Sequence, residues 1–195
     1  MAEVANIPSI LIYEEFDGHP IYRKGYKDFL LGLKTVEEIM GTSALQWFIT
    51  MILTKFLNRN LPDTYYAGSA ELGIHLSHGN NQSVDIAIYR NGQIKIGFDS
   101  INYSNIPPAV VIEVDIKADD SDFFLSESDY FQKKTEKLLL FGVERVIWVT
   151  SSTQRVMIAD NLEKWVIQTW NQDFELIDGL TVNLWNLLRE NGFEG

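Results

Sequence analysis

The 195-residue chain contains no cysteine, which excludes disulfides and thiolate metal sites and leaves stability to a packed core. Its length suits one domain, residues 1–195, large enough to bury such a core without staples. Basic residues are scarce: 16 Lys and Arg against 27 Asp and Glu give a formal net charge of −11. Nonspecific binding to nucleic acid runs on Lys and Arg displacing condensed counterions, so a chain this acidic is a poor general binder of DNA or RNA. Only a local basic strip, a bound divalent cation or dimerisation reshapes the field where a phosphate sits. The longest apolar-rich run, residues 44–57, is broken by Gln46, Thr50, Thr54 and Lys55. It falls short of the roughly 18 apolar residues a spanning helix needs, so no membrane partner is expected. Residues 1–6 carry no basic segment ahead of an apolar block. The sequence therefore predicts no secretory leader and, with cysteine absent, a cytoplasmic setting. Also missing are a glycine-rich phosphate loop, a nucleophile elbow, a His-Glu-x-x-His pair and any internal repeat.

What is present is organised around residues 107–117, Pro-Pro-Ala-Val-Val-Ile-Glu-Val-Asp-Ile-Lys. Side chains alternate across a strand, so Val110, Ile112, Val114 and Ile116 share one face and Glu113, Asp115 and Lys117 the other. Two carboxylates and an ammonium on an otherwise buried strand are expensive to desolvate unless they pair with one another, with water or with a bound cation. This stretch is the candidate site.

In chain order, residues 10–26 read as a hairpin about Asp17-Gly18. Thr35-Val36-Glu37-Glu38 is a capping-box pattern, and Gly41-Thr42-Ser43 marks a stop and a restart. From Ala44, the apolar residues Leu45, Phe48, Ile49, Ile52, Leu53, Phe56 and Leu57 recur at helical spacing as far as Asn58 to Asn60. Two strands follow, at 65–77 and 84–89, with Asp85 on the second. An irregular connection, 100–108, leads into the organising strand. Residues 118–128, with Asp119, Asp120, Asp122 and Glu127, read as a mobile, solvated loop. A second helix, 129–141, carries Tyr130, Phe131, Leu138 and Phe141 on its stripe and ends at Gly142. Lys134 projects from that stripe, four residues from both Tyr130 and Leu138, and a lysine aimed at the core needs a partner. A buried strand at 146–149, an extended pair at 155–159 and 164–169, a turn at Asp178-Gly179 and a closing helix at 182–189 complete the chain. His75 and His78 invite a zinc reading, but no third ligand accompanies them and surface histidine is the simpler account. The abundant aromatics suit core and interface better than base stacking, since few basic residues interleave with them.

Helix, three strands, helix, strand, with an acid on the second strand and an acid cluster on the third, resembles the PD-(D/E)xK nuclease core. Within that superfamily the chain is similar to the Uma-two family of bacterial restriction-endonuclease-like proteins. The resemblance rests on Asp17-Gly18, Ser43, Ser83-Val84-Asp85, Pro107-Pro108 through Val111-Ile112-Glu113-Val114, Lys134, and Gly142-Val143-Glu144-Arg145-Val146-Ile147-Trp148, and it spans nearly the whole chain. It departs where Val84 stands for the proline that usually precedes the first acid, and where Asp115 and Lys117 follow Glu113-Val114 in place of Ser-Pro.

The resemblance implies an α/β fold with a restriction-endonuclease-like αβββαβ core, a mixed sheet flanked by helices, an N-terminal hairpin, and a C-terminal strand pair plus helix. It implies a metal-dependent DNA endonuclease, with DNA as substrate and a homodimer cutting two strands. Two registers stay open: Asp85, Glu113 and Lys134 by the family pattern, or Asp85, Asp115 and Lys117 by the literal spacing. The first is preferred for the acid, with Asp115 as a further ligand and Glu71 as an outer one. Carboxylates of this kind suit Mg²⁺ or Mn²⁺, which would activate water while lysine steadies charge on phosphorus. The other expectation, motivated by the net charge of −11, is a catalytically silent nuclease fold serving as an interaction or regulatory module. A structural salt-bridge set linking Glu113 and Asp115 with Lys117 and Lys134 would look the same in sequence.

Overall fold

The computed structural model describes residues 7–98, 100–119 and 121–195. A hairpin of β1 (Ile12–Phe16) and β2 (His19–Tyr22) opens the chain and turns at Asp17-Gly18. Two short helices follow, α1 (Tyr26–Leu30) and α2 (Val36–Met40), the second with a complete capping box between Thr35 and Glu38. Ser43 then caps α3 (Ala44–Asn60) by accepting from the Gln46 N–H. Ile49, Ile52, Leu53 and Leu57, recurring at helical spacing, form the buried apolar face of α3.

Strands β3 (Tyr65–Ser77), β4 (Asn80–Arg90) and β5 (Val110–Val114) come next, and α4 (Glu127–Phe141) carries the chain to β6 (Arg145–Thr150). Strands β7 (Arg155–Ala159) and β8 (Trp165–Thr169) extend the sheet beyond β6. The main sheet runs β2-β1-β4-β5-β6-β7-β8, with β3 paired to β4, and β5–β6 is its parallel pair. A parallel pair needs a crossover, and α4 supplies it.

Alternate residues of the central strands feed two cores. Ile86, Ile88, Val110, Ile112, Ile147 and Val149 pack with α3 and with α5 (Leu184–Glu190). Ala87, Tyr89, Val111, Val146 and Trp148 pack with Tyr130 and Leu138 of α4. With helices on both faces, all five residues of β5 are buried. This is a restriction-endonuclease-like α/β core with the expected N-terminal hairpin and C-terminal strand pair plus helix.

Three details differ from the sequence reading. A second small sheet, β9 (Asp173–Ile177) with β10 (Leu180–Asn183), surrounds the Asp178-Gly179 turn and adds Phe174, Leu176 and Val182 to the α3 core. The loop before α4 is tethered: Asp122 Oδ1 lies 2.7 Å from Lys27 Nζ, and the Asp119 N–H donates to the Tyr22 carbonyl at 2.7 Å. The organising strand stops at Val114, where Asp115 takes φ +58° and turns the chain. No helix among the described residues is long and apolar enough to cross a membrane.

Gly142 ends α4 at φ +114°, with its own N–H on the Leu139 carbonyl and the Val143 N–H on that of Leu138, each at 3.0 Å. A Cβ there would also lie 3.2 Å from Pro107. Gly142→Ala should therefore lower stability by about 1–2 kcal/mol, the cost of a left-handed L-residue. At this chain length that is a fall of roughly 2–8 °C in Tm, read by calorimetry.

Candidate active site

Register brings the two principal acids together. In the β4–β5 ladder Ile86 pairs with Ile112 and Ala87 with Val111, so Asp85 and Glu113 fall on the next rung and the same face. There the ladder gives way to a side chain: Asp85 Oδ2 accepts the Val114 N–H at 2.8 Å. Both acids are buried, at 4% and 2% exposure. Gln46, in the first turn of α3, donates to the Val114 carbonyl and fixes that helix against the end of β5.

Lys134 meets Glu113 from α4, as the stripe predicted, at 1% exposure. Its ammonium lies 2.8 Å from Glu113 Oε1, 2.5 Å from Glu14 Oε1 and 2.7 Å from the Ser83 carbonyl. Tyr130 donates to Glu14 Oε2 at 2.9 Å, and the Ser83 N–H reaches Glu14 Oε1 at 3.1 Å. The rings of Tyr13, Tyr130 and Trp148 enclose the ammonium at 5.9, 5.7 and 5.7 Å from their centroids. Among the described residues, Glu113 Oε1 has no polar partner other than the Lys134 ammonium. Burial pushes the Glu113 carboxyl up to about 8, outweighing the pull of Lys134. Burial also disfavours charge on Lys134, but Glu113 and Glu14 outweigh it and hold the ammonium well above its ordinary value.

Sequence reasoning missed Glu14. The signal was available: a core-facing lysine needs a partner, and Glu14-Glu15 sits in the hairpin strand between Tyr13 and Phe16. Strict alternation cannot send Tyr13 and Glu14 to one core. An irregularity in β1 pairing between Ile12 and Glu14 does so, leaving both buried.

Lys117 closes a second set. Its Nζ lies 2.7 Å from Asp85 Oδ1 and 2.6 Å from Glu71 Oε1. Burial lowers its proton affinity, but Asp85 and then Glu71 more than restore it, and its pKa is raised. Glu71 reaches this position through a break in the β3–β4 register between Ser69 and Leu72, where Ala70 and Glu71 take φ +136° and +52°. Such a bulge re-aims a side chain. An open cleft of about 530 Å³ is lined by Glu71, Asp85 and Lys117 beside Thr50, Met51 and Thr54 of α3.

Asp115 is directed elsewhere: its Oδ1 accepts the Ser151 N–H at 2.6 Å, and its own N–H donates to the Val149 carbonyl at 2.9 Å. The turn at Asp115 thus separates it from Glu113 and Lys117. His75 Nδ1 pairs with Asn81 Oδ1 at 2.7 Å on the surface.

Among the described residues, no three Asp, Glu or His side chains stand together as a metal-holding group. The acids are divided between two ammonium groups, Glu14 and Glu113 on Lys134, Glu71 and Asp85 on Lys117. This donor set does not fit Mg²⁺ or Mn²⁺ as arranged.

The elevated Glu113 carboxyl has a consequence for stability. Between its ordinary value near 4.5 and about 8 the folded chain holds a proton that the unfolded chain has released. Its contribution therefore falls as pH rises across that window and is level above it. Urea unfolding at pH 5.5, 7 and 8.5 should show this decline, and Glu113→Gln should flatten it. An equal slope in both proteins would contradict the assignment.

No protein-family model and no curated protein matches the chain. Among solved structures, it is similar to a candidate nuclease of DUF820 from Anabaena variabilis, at 14% identity and a TM-score of 0.60, over 90% of each chain. That likeness is one of fold.

Proposed function

We propose that this chain is a catalytically silent member of the nuclease-like fold that serves as a binding or regulatory module, its acidic site closed by its own lysines. The carrying observation is the Lys117 ammonium seated between Asp85 and Glu71 at 2.7 and 2.6 Å. A fixed cation between two carboxylates takes up the charge that would otherwise draw a divalent ion. The formal charge of −11 supports the same reading, since it opposes approach of a polyanion.

A second reading is favoured by one specific feature, the meeting of Asp85, Glu113 and Lys134 at the end of β5. It makes the protein a cytoplasmic, Uma-two-type, Mg²⁺- or Mn²⁺-dependent endonuclease that hydrolyses DNA phosphodiesters as a homodimer.

Metal titration separates the two. A module's Tm should not move in millimolar Mg²⁺ or Mn²⁺, whereas Lys117→Met, which removes the ammonium between Asp85 and Glu71 and leaves Glu71 only the more distant Arg23 at 3.7 Å, should gain a metal-dependent rise through linkage. A rise in the unaltered protein, together with nicking of supercoiled plasmid, would replace the module with the endonuclease. In that case Lys134→Met should stop cleavage and Lys117→Met should cost much less; the reverse order would make Lys117, beside Asp85 and Glu71, the working lysine. Whatever the activity, Lys134→Met should cost about 3–5 kcal/mol in urea unfolding, because it leaves the buried Glu14 carboxylate without its counter-charge.

A further inference from the structure

The two outer edges of the main sheet are treated differently. At one end β2 carries Pro20, and the segment beyond Asp115 folds along it: the Lys24 N–H donates to the Lys117 carbonyl and the Asp119 N–H to the Tyr22 carbonyl, both at 2.7 Å. At the other end lies β8, Trp-Val-Ile-Gln-Thr, with no proline and no charge. Its register with β7 runs unbroken from Trp165 to Thr169, and among the described residues no strand lies against its far side. Val166 and Ile167 are 44% and 62% exposed. Long-lived proteins blunt an open edge with charge, proline, a bulge or a cover, and β8 has none of these.

The phase of β8 fixes which groups are free. The Trp170 N–H donates inward to the Gln154 carbonyl at 3.2 Å, while the Thr169 N–H turns outward to Gln172 Oε1 at 3.0 Å. Antiparallel ladders alternate, so the N–H and C=O groups of Ile167 and Trp165 also point outward, without a partner strand. Thr169 is already satisfied, which leaves a short free segment centred on Val166.

We propose that this segment pairs with its counterpart in a second copy of the chain, antiparallel about a two-fold axis at Val166, to form one sheet across a homodimer. In that register Trp165 exchanges both hydrogen bonds with the partner's Ile167, and Ile167 does the same with the partner's Trp165. All four outward amides and carbonyls of those two residues on each edge are thereby used. Val166 faces the partner's Val166 as a non-hydrogen-bonded pair, and Ile167 packs beside the partner's Trp165. Lys164 meets the partner's Gln168 and Glu163 the partner's Thr169, so no like charges oppose each other. A strand that satisfies itself about a two-fold makes a closed, isologous interface, the commonest kind. The proposal does not depend on whether the acidic site is catalytic.

Light scattering at tens of micromolar should give twice the 22.4 kDa chain mass. Val166→Lys and Val166→Glu, each at a half-exposed position, should fold with a Tm near that of the parent and run as monomers. Mixed in equal amounts they should recover the dimer, since lysine then faces glutamate. The absence of native cysteine gives a direct test of register. Facing Cα atoms in a non-hydrogen-bonded pair lie about 4.5 Å apart, within disulfide reach. Val166→Cys should therefore cross-link to a dimer under mild oxidation, and Ser152→Cys, exposed in the turn before β7, should not. A monomeric parent protein, a Val166→Lys protein that stays dimeric, or equal cross-linking of the two cysteine variants would each overturn the proposal.

Discussion

A single ammonium at 1% exposure ties the molecule together. Lys134 comes from α4, and its partners come from the first strand (Glu14), the fourth (the Ser83 carbonyl) and the fifth (Glu113). Taking that charge out of water is costly, and only close oxygen partners make it tolerable. The hairpin therefore cannot sit elsewhere on the sheet, nor α4 rotate, without stranding the charge. Hydrophobic burial supplies most of the driving force for folding, but it is non-directional. The ion set supplies the direction, bringing four chain segments to one point.

The second set, on Lys117, has a different character because it meets solvent. Lys117 is 15% exposed and Glu71 36% by side chain, against 1% and 2% for Lys134 and Glu113. The inner set is shielded on every side and has few alternatives. The outer one lines an open cleft and rests on three positive-φ residues, Ala70, Glu71 and Asp115, in its flanking segments. Non-glycine residues in that conformation store modest strain, which clusters where side chains must be aimed against the run of their strand. Asp85 belongs to both regions: it shares a rung with Glu113 and pairs with Lys117.

The fold was legible because its elements carry strong periodic signals. Ile49, Ile52, Leu53 and Leu57 give α3, the Val-Val-Ile run gives β5, and Gly142 ends α4 where a left-handed residue is needed. The core-facing lysine was legible for the same reason, since position 134 is fixed by helix geometry. Glu14, the aim of Glu71 and the turn at Asp115 were not. Each depends on a break in strand alternation, and a period-two reading assumes no such break. Literal alternation put Glu113, Asp115 and Lys117 on one face; one left-handed residue turned Asp115 toward Ser151 while Lys117 still reached Asp85. Strands β9 and β10 escaped because four- and five-residue segments about a visible turn leave little pattern to count.

The long reach of the buried ion set also bears on how the chain acquires its structure. Glu14 and Lys134 are 120 residues apart. The hairpin precedes α4 in the chain and stays without its ionic partner until α4 has been made. Contacts of such separation carry a large loop-closure cost before they stabilise anything, and they slow folding relative to local pairings. Helix α3 and the β3–β4 hairpin can form from neighbouring sequence while the first strand waits. The β1–β2 hairpin is thus made well before the lysine that anchors it, and the Glu14–Lys134 contact is one that local pairing alone does not form.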